Sequence, residues 1–290
     1  TRLARPRFQV QLQAPDTLRA LGAVKISGQV LNQQGDFAED FDGRVLVNAF
    51  DSALASQLDG FTYVQLGAPL YRGTLAVANG RFEAEFRVPK DITYRGVRGR
   101  VSAYAWAAGK PSAFGAIERL VLAGTAADVV ADDEGPTISI QFDGQDGFES
   151  GDSIPQEAVL EASISDPSGI NVTGETGHEI ELEIDNQSFQ VTESFVVDGG
   201  GYSDGMLAFR LPALEPGEHT IRLKAWDSFN NSGTAEVLVK VSEGRTEALS
   251  AVLFVPNPMA EEGHFTYILQ SRASDVDIKV FTLSGRLVDE

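Results

Sequence analysis

Apolar side chains recur at every second position through most of the chain. Val24, Ile26, Gly28 and Val30 alternate with Lys25, Ser27 and Gln29; Val45, Val47 and Ala49 repeat the pattern. Phe82, Ala84, Phe86 and Val88 alternate with Glu83, Glu85 and Arg87, and Val101, Ala103 and Ala105 continue the series. Strand side chains point to opposite faces in turn, so each such segment buries one face and wets the other. About eight strands are expected before residue 124, with Asn79-Gly80 as a hairpin turn between Leu75-Ala76-Val77 and the Phe82 strand. The weakly helical stretch from Ala116 to Val130 reads better as a last strand and a linker.

The middle of the chain predicts seven strands, at 137–142, 158–165, 179–184, 189–197, 206–210, 217–226 and 234–241. That spacing suits an immunoglobulin-like sandwich. Trp226, with Ile221, Leu223 and Ala225, is its expected core anchor. Beyond residue 249 alternation returns, with Val252, Phe265, Tyr267, Ile278, Val280 and Leu287 as core candidates in a segment too short for a complete sandwich. The fold class expected is all-β: tandem β-sandwiches, the middle one immunoglobulin-like, ending in a partial sandwich.

Composition sharpens the boundaries. Of 290 residues, 42% are hydrophobic, enough for real cores. The net charge of −19 is unevenly spread. Residues 1–124 hold 15 basic and 11 acidic side chains, a net of +4, whereas residues 125–247 hold 5 and 25, a net of −20. The expected domains are therefore a β-sandwich over 1–125, an acidic linker over 126–136, an immunoglobulin-like sandwich over 137–243 and a partial sandwich over 249–290. An acidic balance argues against nucleic acid as a partner, since tracking phosphates needs net Lys and Arg. No apolar run is long enough to span a membrane, so no membrane insertion is expected of this chain. There is no cysteine, hence no disulfide, thiolate metal site or thiol nucleophile. A chain opening on Thr-Arg-Leu rather than Met is read as part of something longer.

The run Asp166-Pro167-Ser168-Gly169-Ile170-Asn171, followed by Thr173-Gly174 and Gly177-His178-Glu179-Ile180, resembles the region after the catalytic domain in gingipain-like cysteine peptidases. More narrowly it resembles the sortases of type IX secretion systems. Val88-Pro89-Lys90-Asp91-Ile92-Thr93-Tyr94, and Gly217-Glu218-His219-Thr220 through Trp226-Asp227 and Asn230-Asn231, fit the same resemblance. Pro256-Asn257-Pro258 and Ile278-Lys279-Val280-Phe281-Thr282-Leu283-Ser284-Gly285-Arg286-Leu287-Val288 are similar to the first half of a FlgD-like or type IX C-terminal sandwich. In that family the chemistry belongs to a Cys-His pair in an upstream caspase-like domain. Nothing here matches the nucleophile, and His178, His219 and His264 lie outside the matching region. The resemblance implies a parent cysteine peptidase or transpeptidase at the cell exterior or outer-membrane surface. Within it this chain is a non-catalytic region, partnered by the upstream catalytic domain or by type IX secretion components.

Two features invite chemistry of their own. Gly201-Tyr202-Ser203-Asp204-Gly205 has the spacing of a nucleophile elbow, but an elbow needs a helix after the serine. Here Met206-Leu207-Ala208-Phe209-Arg210-Leu211-Pro212 reads as a strand, so a plain turn is expected and no catalytic residue is assigned. The second is a calcium site. The start of the first middle-domain strand and the ends of its second and sixth should share one pole, gathering Asp133 (beside Asp132), Asp166, Asp227 and Asn231. Carboxylates and an amide are the hard oxygen donors that calcium takes, and calcium is the one cofactor considered. The alternative is that these residues are turn formers, bonded to nearby backbone N–H groups. An adhesin or ligand-binding sandwich is the alternative function. Exposed aromatics in a row would favour glycan binding there, with Tyr63, Tyr71, Tyr94 and Tyr104 to be placed at core or surface.

Overall fold

The computed structural model describes residues 7–93, 99–145, 147–241, 249–255, 263–269, 278–281 and 287–289. The chain is all-β, and among the described residues the only helix is a single 3-10 turn, Thr192–Ser194. Among the described residues no helix is long and apolar enough to cross a membrane.

The first sandwich comprises β1 (Phe8–Gln13), β2 (Thr17–Ala20), β3 (Ala23–Leu31), β4 (Gly43–Phe50), β5 (Leu54–Leu58), β6 (Phe61–Gln65), β7 (Pro69–Val77), β8 (Arg81–Arg87), β9 (Gly99–Trp106) and β10 (Ala113–Thr125). Alternation decides its core: Val24 and Ile26, Val45, Val47 and Ala49, Phe82, Ala84 and Phe86, and Val101, Ala103 and Ala105 are all buried. Pairing runs β7-β4-β9-β10 on one side and β1-β3-β8 on the other, with β1 meeting β10 in parallel through Phe8 and Gln9. Asn79 and Gly80 do turn, both at positive φ, with Ala78 and Arg81 exchanging backbone hydrogen bonds of 3.0 Å. They do not make a long hairpin. Beyond that bridge β7 pairs with β4 and β8 with β3, because each strand buries its apolar face in a different wall.

The second sandwich comprises β11 (Thr137–Phe142), β12 (Ser153–Ile154), β13 (Val159–Ser165), β14 (Glu181–Ile184), β15 (Gln187–Gln190), β16 (Phe195–Asp198), β17 (Asp204–Arg210), β18 (Gly217–Trp226) and β19 (Ser232–Val241). One wall orders β11-β13-β17-β16 and the other β12-β19-β18-β14-β15, the strand order of an immunoglobulin-like sandwich. The single strand expected at 189–197 is two. The 3-10 turn between β15 and β16 carries the chain from one wall to the other, and buried Thr192 accepts the Ile180 N–H there at 2.9 Å. Trp226 is not the core anchor. Ile221, Leu223 and Ala225 point inward, so strand alternation turns Trp226 outward. There Lys224 lies 4.3 Å above its ring and His178 meets it edge-on.

The two sandwiches share a sheet. β16 pairs in parallel with β7 through Val197–Gly73 and Asp198–Thr74, so hydrogen bonding runs from β11 to β8 across both. Around this seam Glu85 N–H donates to Gly200 O at 2.8 Å, Arg72 Nη1 to Glu193 O at 2.7 Å, and Arg44 pairs with Asp198 at 3.3 Å. Lower down, Lys90 N–H donates to Ser228 O at 2.9 Å, and Asp91 accepts from Asn230 Nδ2 at 3.0 Å while pairing with His178.

The C-terminal segment shows two strand pairs, β20 (Leu249–Val255) with β21 (His264–Leu269) and β22 (Val280–Phe281) with β23 (Leu287–Asp289). Phe265 packs on Phe254, with ring centroids 4.8 Å apart. Yet Phe265, Tyr267 and Leu287 are exposed rather than core, because each pair has no second layer among the described residues. The side chains of Val252 and Val280 lie outside the described set.

Candidate metal centre

Three loops meet at one pole of the second sandwich: the segment before β11, the β13–β14 loop and the β18–β19 turn. They bring Asp132, Asp166 and Asp227 together, with one carboxylate oxygen of each within 4.8 Å of the others. Asp166 and Asp227 are buried and Asp132 is half-buried. Asp133 is exposed and outside the cluster, so of the acidic pair it is Asp132 that turns in. Asn231 joins through its amide, which donates to Asp227 Oδ2 at 2.9 Å and to the Asp132 carbonyl at 3.0 Å.

Each carboxylate also closes its own loop. Asp166 Oδ1 accepts Ser168 N–H at 2.7 Å, and Asp227 Oδ1 accepts Phe229 N–H at 3.0 Å and Asn231 N–H at 2.6 Å. Asp132 accepts Glu134 N–H at 3.1 Å and the Ser168 hydroxyl. These are the Asx-type bonds of the turn-forming alternative. They leave three acidic groups facing one another at the base of the seam.

The electrostatics follow from burial. Loss of water raises Asp166 to about 6, and the neighbouring charges of Asp227 and Asp132 push the same way. Burial raises Asp227 too, against its three hydrogen bonds. The Ser168 hydroxyl holds Asp132 low. An acid whose folded pKa is raised stabilises the fold below its unfolded value and loses that contribution as pH rises through the folded value. Between about pH 4 and pH 6 the metal-free chain should therefore lose stability because of Asp166, by at most about 3 kcal/mol. Urea unfolding in EDTA checks this, with Asp166→Asn as the reference. The variant keeps the acceptor for Ser168 N–H, has the shallower slope, with only the Asp227 contribution left, and is the more stable chain at pH 7. Equal slopes in the two proteins would refute the assignment. The same pair of proteins tests calcium: an ion held by the carboxylates raises the midpoint of wild type at pH 7 and not that of Asp166→Asn, whereas turn formers alone give no response in either.

The other residues singled out from the sequence lie elsewhere. Ser203 donates to Asp204 at the mouth of β17, and a strand follows where an elbow needs a helix. His178 is engaged by Asp91, and His219 lies between Asp185 Oδ2 (2.8 Å) and the Glu215 carbonyl (2.7 Å); His264 is exposed. Of the tyrosines, Tyr71 is core and Tyr63 exposed. Tyr104 stands outward beside Trp106, opposite Phe114, and Tyr94 lies outside the described residues.

No protein-family model and no curated protein matches the chain. Among solved structures, red sea bream transglutaminase is 14% identical over 81% of this chain and 32% of its own, with a TM-score of 0.25. The native conformation of Escherichia coli α2-macroglobulin is 13% identical over 81% and 17%, with a TM-score of 0.27. Dimeric latent PorU from Porphyromonas gingivalis is 30% identical, with a TM-score of 0.50. That likeness covers 98% of this chain and 29% of the PorU chain: the sequence described here is similar, almost end to end, to under a third of PorU.

Proposed function

We propose that this chain is the non-catalytic β-sandwich region of a gingipain-like cysteine peptidase of the type IX sortase kind, working at the cell exterior or outer-membrane surface. The observation that carries the reading is the match to PorU over 98% of the chain at 30% identity. It agrees with the motif resemblance in Asp166–Ile180, and the absence of cysteine leaves the chain without the family's nucleophile. The shared sheet supports a scaffolding role, since it fixes one sandwich against the other. A basic first half beside a strongly acidic second half suits an electrostatically oriented contact with an upstream catalytic domain or a secretion component.

The coding sequence upstream of Thr1 tests the parentage. A caspase-like α/β stretch with a histidine and a later cysteine is expected; further sandwich repeats alone would make the chain a link in an adhesin. Given that stretch, its purified product should bind this chain at low ionic strength and weaken about tenfold or more in half-molar salt, where screening is nearly complete. No association at low salt would sink the supporting role.

A further inference from the structure

We propose that His219 is a pH-sensitive clip, whose doubly protonated ring fastens the β14–β15 hairpin to the rim of the second sandwich and releases it when one proton is lost. His219 stands in phase with Ile221, Leu223 and Ala225, so strand alternation turns it inward near the start of β18. Its two ring nitrogens meet two oxygens. Nδ1 lies 2.8 Å from Asp185 Oδ2, and Nε2 lies 2.7 Å from the Glu215 carbonyl. The hydrogen bond from His219, and then that from Thr220 N–H, holds the Asp185 carboxyl below its ordinary range, so it is an acceptor only. A neutral imidazole has one N–H, so either tautomer would turn a lone pair on one of these oxygens. A ring flipped by 180° would set carbon against both. Only the imidazolium donates at both ends.

Asp185 is the pivot of the clip. It sits at positive φ (53°) in the two-residue turn between β14 and β15, and its backbone N–H donates to Thr220 O at 2.8 Å. Its Oδ1 accepts Thr220 N–H at 3.0 Å, leaving Oδ2 for His219. β15 is the outermost strand of its wall and pairs with β14 alone among the described strands, so the hairpin is held to β18 through β14 and this turn. The chain leaves β15 through the 3-10 turn to β16, which places the clip on the hairpin that leads into the seam.

Charge sets the direction of the response. The charged groups acting on the ring are Asp185 on the turn and Glu215 ahead of β18, both acidic. Opposite it on β19 stands Val239, flanked by Val237 and Val241, while Glu218 and Lys240 pair on the other face of the sheet. Burial works against the charged ring, but the bonds to Asp185 and Glu215 and their charges outweigh it and raise the ring above its ordinary pKa. Such a group stabilises the fold below its unfolded value of ~6.5 and loses that contribution as pH rises through the folded one. The clip therefore opens on the alkaline side, apart from the acid window of Asp166.

Nitrogen-15 NMR and hydrogen exchange of the full chain test the clip. At pH 6.5, where a free imidazole is about half neutral, both His219 nitrogens should be protonated. A ring held there in one neutral tautomer would overturn the proposal. Between pH 6.5 and pH 9 the protection factor of the Asp185 amide should fall about tenfold or more, the worth of one charge-assisted hydrogen bond. Ala162 in β13 is the reference and should keep its protection. His219→Gln, which retains a side-chain donor, should show the lower protection at both pH values. Asp185→Asn keeps the acceptor for Thr220 N–H and should be equally flat. A wild-type amide as well protected at pH 9 as at pH 6.5, or the wild-type pH response in either variant, would equally refute the clip.

Discussion

Replacing Tyr71 by alanine should cost about 3–5 kcal/mol and destabilise both sandwiches together, the range for truncating a large buried aromatic. Tyr71 is buried in β7, stacked on Phe86 with centroids 5.0 Å apart, and its hydroxyl donates to Gly201 O at 3.2 Å. Burial also drives its phenol up to about 12, so it stays a neutral donor at any ordinary pH. The sequence makes room for it two residues on: a Cβ at Gly73 would sit 2.0 Å from the Tyr71 hydroxyl. Since β7 is the strand that β16 joins, the cavity left by alanine opens under the seam itself. The two tryptophans report separately, Trp106 from β9 and Trp226 from β18. Chains carrying only one of them, made with Trp226→Phe or Trp106→Phe, should show the same lowered urea midpoint when Tyr71→Ala is added. A shift at Trp106 alone would mean the halves unfold independently. Tyr71→Phe removes just the hydrogen bond and should cost about 1 kcal/mol.

Gly233→Ala should destabilise the second sandwich by about 2–4 kcal/mol, because overpacking against backbone has no side chain to yield. A Cβ at Gly233 would lie 1.8 Å from the Pro136 carbonyl oxygen, and one at Gly135 would lie 2.3 Å from the Ser232 carbonyl. This close approach holds the 132–136 segment against β19, and with it Asp132 against Asp166 and Asp227. Gly233→Ala should therefore also flatten the pH dependence attributed to Asp166, as Asp132 is levered away. Urea unfolding at pH 4.5 and 7 reads both effects. Gly201→Ala, where an added Cβ meets nothing within 4 Å, is the control and should be near neutral. A Gly233→Ala midpoint equal to that of the control would show that the segment is free to move.

Both results bear on what could be read from the residues alone. Period-two alternation is a local property, so it located the inward faces of β3, β4, β8 and β9. Applied strictly, it also places Trp226 outside, in antiphase with Ile221, Leu223 and Ala225; large size was the misleading cue. Strand 189–197 was misjudged because a change of sheet leaves no gap in hydrophobicity. Since β15 and β16 run on without a reversal, the extra strand left the poles unchanged, and Asp166, Asp227 and Asn231 do meet. Asp132 rather than Asp133 completes the group, and coil has no period to distinguish two adjacent aspartates. The seam was illegible for a different reason. It is a backbone pairing between β7 and β16, more than 100 residues apart in the chain, with Gly73 contributing no side chain at all.

That seam limits how the chain can be divided. A cut within residues 126–136 looks like a natural module boundary, since it falls between strands and at the step in charge. It would nevertheless release an immunoglobulin-like half whose β16 edge, Phe195-Val196-Val197, is stripped of its neighbour and open to pairing with any passing strand. The other half would lose the cover of β7. The two halves are beads by sequence and a single piece by hydrogen bonding, so exchange of either one between genes requires a replacement that brings a matching edge.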